Sequence, residues 1–149
     1  MVITTRQKHQ RSPLSLKLKV NSETVAQVKE HRVLGLTIDD ELKWQSHVSN
    51  VCKTISKNVY LMSQLKRYVS PQTLKIFYNS HIMPHISFSS TVWDGCGETH
   101  LSKLNSLYRR ASKLLIPDKN LSTDEKQKAL GILPLQKQLG FNKALLMFR

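Results

Sequence analysis

The hydrophobic pattern of this chain changes from period two to a helical period near residue 40. Upstream of that point Leu14, Leu16 and Leu18 alternate with polar residues, which predicts a strand with one buried face. Asn21-Ser22 is a turn candidate, and residues 24–28 offer the return strand of a hairpin. The N-terminal part of the chain is therefore predicted to be β.

Two more segments before residue 40 have strand composition. Residues 1–5 are short and β-branched, and residues 33–38 form an apolar run that Gly35 interrupts. A glycine inside a strand often marks a β-bulge or a close backbone approach, so we predict one of these at Gly35. Residues 7–13 are polar and are predicted to form a loop.

A single apolar stripe at spacings of four and three predicts a long helix from about Trp44. Its members are Val48, Cys52, Ile55, Val59 and Met62. Asp39 or Asp40 is placed to cap its start, because the free amides and the dipole of a helix favour a carboxylate there. Ser70-Pro71 is predicted to follow the end of this helix and to cap the next one.

The same reasoning predicts more helices in the second half of the chain. The second helix should kink or end at Pro84, residues 86–97 are irregular and end in a turn, and a third helix starts near Thr99. Ser122 and Glu125 have capping-box spacing, and the last apolar segment, from Leu133 onward, is predicted to be interrupted by a glycine at position 140. The predicted fold class is α+β, with short antiparallel strands at 1–39, a helical region at 40–116 and a helical extension at 117–149.

Charge is the property that points to a partner. Lysine and arginine outnumber aspartate and glutamate by 23 to 10, and the segments 42–93 and 99–117 contain no acidic residue. Helix faces with this composition can follow a phosphate backbone, although solvated helix faces are the ordinary alternative. The candidate nucleic-acid contacts are Lys53, Lys57, Tyr60, Arg67, Lys103, Arg109, Arg110 and Lys113.

Other site classes find less support in the sequence. His81, His85, Cys96 and His100 have zinc-like spacing, but Pro84 disturbs the helical register of the first pair, so we predict no metal ligands. Two cysteines and the lack of a secretory signal indicate an intracellular location, nucleus or cytoplasm. The chain has no apolar run long enough to span a bilayer, so no membrane partner is predicted.

The order of several short runs resembles the part of a reverse transcriptase that follows the palm, in non-LTR retrotransposons of the jockey and CR1 type. The resemblance covers nearly the whole chain. It rests on residues 34–40 (Leu-Gly-Leu-Thr-Ile-Asp-Asp) with Trp44 and His47, 65–68 (Leu-Lys-Arg-Tyr), Val92-Trp93, 107–111 (Leu-Tyr-Arg-Arg-Ala) and 130–135 (Leu-Gly-Ile-Leu-Pro-Leu). The chain departs from the family in having Val33 where Phe is usual and Asp94 where Gly is usual.

The resemblance implies a primer grip at Val33, Leu34, Gly35 and Leu36, followed by a thumb. It implies RNA and DNA, as a template–primer duplex, as partners of the chain. It also implies the upstream fingers and palm of the same polyprotein, where carboxylates would hold Mg²⁺. The pair Asp39-Asp40 lacks the preceding aromatic residue of the family's catalytic motif, so we interpret it as a cap.

The sequence therefore predicts a fragment of an RNA-directed DNA polymerase that is not an enzyme by itself and has no cofactor of its own. Both termini fall inside apolar patterns, as expected of a cut segment. The alternatives are a stand-alone basic helical nucleic-acid-binding protein derived from such an element and a non-functional pseudogene product. A primer-extension assay on the chain alone would test the predicted lack of polymerase activity.

Overall fold

The computed structural model describes residues 1–4, 7, 17–116 and 120–148. The chain divides into two compact units, Met1–His47 and Val48–Arg149. The first contains two antiparallel hairpins, and the second consists of helices, so the predicted α+β class is confirmed. The described residues include only Gln7 of the loop predicted at residues 7–13. Leu14 and Leu16 of the first predicted strand also lie outside the described residues.

The first hairpin joins β1 (Leu18–Val20) to β2 (Glu23–Val25), in a register that pairs Val20 with Glu23. Asn21 and Ser22 both have positive φ, as the two-residue turns that match strand twist require. The predicted turn and return strand are thus confirmed, although the return strand ends at Val25 rather than at residue 28. The predicted buried face is wrong, because every residue of β1 and β2 is exposed.

The second hairpin corrects two predictions. Residues 33–38 belong to two strands, β3 (Glu30–Val33) and β4 (Leu36–Asp39), with Leu34-Gly35 as the turn between them. Gly35 therefore lies at the hairpin tip instead of forming a bulge within a strand. Residues 1–4 form no strand either, and the amide of Thr4 instead donates to the carbonyl of Asp40 at 2.9 Å.

Asp39 organises the loop that precedes the first helix, α1 (Gln45–Leu65). One carboxylate oxygen accepts hydrogen bonds from the amides of Glu41 (3.1 Å) and Lys43 (2.9 Å), and the other accepts from Trp44 (2.7 Å). The prediction that Asp39 or Asp40 caps the start of the helix is therefore wrong, because these amides belong to the loop and not to the first turn of the helix.

Buried His47 joins this loop to β4, because its Nδ1 accepts a hydrogen bond from the amide of Thr37 at 3.4 Å. Burial lowers the pKa of His47 below its ordinary 6.5, and the charge of Arg32 acts in the same direction. The unfolded chain therefore binds a proton at a higher pH than the folded chain does. Burial of neutral His47 therefore makes its full contribution to the free energy of unfolding above about pH 6.5. This contribution is lost as the pH falls through the lowered pKa of the folded state.

We expect the free energy of unfolding to decrease between about pH 7.5 and about pH 5, and to decrease less in the variant His47→Asn. Asparagine keeps an acceptor near the Thr37 amide but does not titrate. Urea unfolding at the two pH values measures the difference. An equal decrease in both proteins would show that other groups cause the pH dependence.

The predicted stripe of α1 is confirmed, since Val48, Ile55, Val59 and Met62 are buried and Cys52 is half-buried. Ser70 caps the next helix, α2 (Pro71–His81), by accepting a hydrogen bond from the amide of Thr73. α2 ends before Pro84, and this proline lies in the first turn of a separate short helix, α3 (Met83–Ser87). A first-turn proline needs no amide partner, so Pro84 begins a helix and kinks none.

The remaining helices are α4 (Ser90–Trp93), α5 (Glu98–Leu115), α6 (Thr123–Leu130) and α7 (Leu135–Met147). The capping box of Ser122 and Glu125 at the start of α6 is confirmed, and Gly131 ends this helix with a φ of 68°. The predicted interruption at Gly140 is wrong, because α7 continues through it. A mid-helix glycine costs only about 1 kcal/mol, which the packing of Leu135 and Leu139 offsets.

The core of the helical unit contains the buried stripe of α1, and in the same unit α2 packs on α5 and α4 packs on α7. The rings of Tyr78 and Tyr108 pack 6.4 Å apart, and the Tyr108 hydroxyl donates to the carbonyl of Leu133 at 2.7 Å. Trp93 is completely buried, and its Nε1 donates to the carbonyl of Phe88 at 2.9 Å. Trp44, directly before α1, is buried as well.

Candidate nucleic-acid interface

Lys53, Lys57 and Tyr60 form a row along one exposed face of α1. Their spacing of four and three residues places them on adjacent turns of the same face. Together with Ser56 and Leu61 they line a shallow surface groove. Tyr60 is 62% exposed, so an aromatic ring and two ammonium groups are presented along about two helical turns.

Arg67 lies just beyond the end of α1, in a turn, and is exposed. Beside it is Tyr68, which is 83% exposed and which the sequence reasoning did not select. Exposed tyrosines next to basic groups are the combination on which unpaired or terminal bases can stack. The sequence does contain a signal for Tyr68, because this tyrosine follows two basic residues in the run 65–68 and lies outside the apolar stripe of α1.

Lys103, Arg110 and Lys113 are exposed on α5, with the exposed Ser106 on the same face. Arg109 differs from these three. Its guanidinium forms an ion pair with Asp124 at 2.9 Å, which links α5 to α6. Arg109 is therefore engaged in an interhelical contact, while the other three cations project into solvent.

The thiol of Cys52 on α1 responds to a cation of α5. Burial raises the pKa of the Cys52 thiol, and the positive charge of Lys103 partly offsets this increase.

The four residues predicted to resemble a primer grip form the tip of the second hairpin. Leu34 is 89% exposed, Val33 is exposed and Leu36 is half-buried. Leu34 has a φ of 48° and Gly35 a φ of 85°. Glycine adopts this conformation freely, whereas a leucine there is strained by about 1–2 kcal/mol. The hairpin thus holds an uncovered apolar side chain at its tip.

The histidines with zinc-like spacing do not converge. The ring of His81 stacks on Phe77 with centroids 4.4 Å apart, and its Nδ1 lies 2.7 Å from the hydroxyl of Ser80. Cys96 is buried, and burial raises the pKa of its thiol. Across residues 1–4, 7, 17–116 and 120–148, no three His, Cys, Asp or Glu side chains are grouped so that they could hold a metal ion.

Comparisons with protein-family models, with curated proteins and with solved structures found no match to this chain. Within the part of the chain that the structure describes, no helix has both the length and the apolar character needed to cross a bilayer.

Proposed function

We propose that this chain is the primer-grip and thumb part of an RNA-directed DNA polymerase of a non-LTR retrotransposon, and that it holds a template–primer duplex through contacts with the nucleic-acid backbone. The observation that carries the proposal is the row Lys53, Lys57 and Tyr60 along an exposed groove of α1. No acidic residue falls between positions 42 and 93 to neutralise it. The resemblance in residues 34–40 and 130–135 supplies the enzyme class.

The arrangement favours binding that does not depend on nucleotide sequence. Lysine ammonium groups contact phosphates as point charges and carry no base information. Tyr60 offers a ring face, against which any base or sugar can pack. A polymerase needs such contacts, because the duplex must move through its grip one step at a time. In the intact enzyme Mg²⁺ would act at the palm, and this chain would only orient the duplex.

The cations of α5 extend the proposed contact. Lys103, Arg110 and Lys113 would follow the phosphates beyond the groove of α1. Arg109 contributes little here because Asp124 already neutralises it. At the tip of the second hairpin, Leu34 would contact the primer strand by apolar packing rather than by charge.

The test is the double substitution Lys53→Gln/Lys57→Gln. We expect the affinity for an RNA–DNA duplex to fall about tenfold near 0.1 M salt, because two phosphate contacts are lost. The slope of log K against log salt concentration should decrease in magnitude by roughly two. Fluorescence anisotropy with a labelled duplex, measured at several salt concentrations, gives both quantities.

The matched control is Lys128→Gln/Lys137→Gln, which removes the same charge from two exposed lysines of α6 and α7. We expect its affinity and its salt slope to stay close to those of the unmodified chain. If both double variants lose affinity equally, binding reflects net charge alone and the α1 groove is not the site.

A further inference from the structure

A second surface of the helical unit is apolar rather than basic. It surrounds the place where α7 packs on α4, and we call it the α7 face. Leu146 is 63% exposed and Phe148 is 91% exposed. The α7 face consists of Phe88, Val92, Phe141, Leu145, Leu146 and Phe148, all of them exposed.

Three residues of the α7 face share one cleft. Val92, Leu145 and Leu146 line one cleft of about 570 Å³, with serines and a threonine at its rim. Phe141 lies one helical turn before Leu145, and Phe148 directly follows the last residue of the helix. A single surface thus carries both a depression and projecting aromatic side chains.

Two polar side chains that line the cleft, Ser90 and Asn142, are hydrogen-bonded to each other. Asn142 Nδ2 donates to the Ser90 hydroxyl at 3.0 Å, and Gln138 Nε2 donates to Asn142 Oδ1 at 3.1 Å. Lys143, on the same helix, forms an ion pair with Asp94 at 2.6 Å. An occupant that covers Val92, Leu145 and Leu146 therefore gains by burying apolar surface next to an ion pair that is already formed.

We propose that the α7 face is a dimer interface and that its occupant is a second copy of this chain. Exposed aromatic side chains present about 150–250 Å² each when free, so the six residues present roughly 600 Å². With the polar rim this approaches the roughly 800 Å² that each partner of a stable complex contributes.

The shape of the face and its charge both favour a second copy. A two-fold axis brings the same patch of each copy together, and a patch with a cleft beside a projecting ring can match itself. A chain of net charge +13 can self-associate only where cations do not face one another. On α7 the charge of Lys143 is paired with Asp94, which reduces the repulsion between two copies at this face.

Sedimentation velocity of the 149-residue chain tests the proposal. The measurement is made after nuclease treatment, which removes nucleic acid that could bridge two copies. It is made at about 0.5 M salt, which screens the charge of the chain. We expect a dimer with a dissociation constant in the micromolar range, and the variant Phe148→Glu should raise that constant at least tenfold. Phe148 is almost fully exposed, so the substitution should leave the fold intact, which circular dichroism checks.

Leu146→Glu is a second variant with the same expected loss of dimer. The matched control is Ile76→Glu on α2, because Ile76 is 67% exposed and lies outside the α7 face. The control should remain dimeric. The proposal is overturned if the unmodified chain is monomeric at about 100 µM, well above micromolar dissociation constants. It is also overturned if the chain forms open-ended assemblies or if Ile76→Glu disrupts the dimer as strongly as Phe148→Glu does.

Discussion

Replacing Trp93 with alanine is expected to lower the free energy of unfolding by about 3–5 kcal/mol. Trp93 is among the completely buried side chains, and it lies in a four-residue helix that has little stability of its own. Removing the ring leaves a cavity beneath α4 and deletes the hydrogen bond to the carbonyl of Phe88. Urea unfolding monitored by circular dichroism measures the loss.

One further variant separates the contribution of the Trp93 ring volume from that of its hydrogen bond, and a second variant serves as a control. Trp93→Phe keeps most of the ring volume but loses the Nε1 donor, and should cost less than half as much as alanine does. Tyr68→Ala removes an exposed aromatic ring and should change stability by about 0.5 kcal/mol or less. A loss below about 1 kcal/mol for Trp93→Ala would mean that the core is centred elsewhere.

Replacing Asp39 with alanine is expected to cost about 2–3 kcal/mol, because three backbone amides lose their acceptor at once. The stability of Asp39→Asn should lie between that of Asp39→Ala and that of the unmodified chain. The asparagine side chain keeps one acceptor oxygen, but its NH2 group presents a donor to the Trp44 amide. The hydrogen bonds of Asp40 involve its backbone: its carbonyl accepts from the Thr4 amide, and its amide donates to the Lys29 carbonyl. Asp40→Ala should therefore change stability by about 0.5 kcal/mol or less.

The same three variants decide how the acidic pair should be interpreted. A thermal or urea unfolding series should rank Asp39→Ala as the least stable, Asp39→Asn next and Asp40→Ala close to the unmodified chain. Equal effects at the two positions would remove the assignment of Asp39 as the residue that orders the loop before α1.

The helices were largely predictable because their determinants are local. Val48, Ile55, Val59 and Met62 repeat at the helical period, and burial of one stripe then follows whatever the helix packs against. The cap at Ser70 and the box at Ser122 depend on residues within three positions of each other. Such signals can be identified in the sequence without knowledge of the tertiary fold.

The errors lie where a weak local preference yields to its surroundings. Leu34-Gly35 escaped prediction as a turn because leucine disfavours positive φ, and only the pairing of β3 with β4 holds it there. Gly140 suggested a break, yet the helix around it is fixed by packing. In the candidate site, the spacing of Lys53, Lys57 and Tyr60 predicted their common face. The partner of Arg109 was not predictable, because Asp124 is 15 residues away in the sequence and lies on another helix.

The contact between α4 and α7 also has a consequence for chain entropy. Ser90 and Asn142, which join the two helices, are 52 residues apart in the sequence. Closing a loop costs free energy that increases with the logarithm of its length, and contacts within a hairpin or between successive helices close much shorter loops. The apolar cleft of the α7 face therefore exists only after this long loop has closed, and it is a property of the completed fold rather than of any isolated helix.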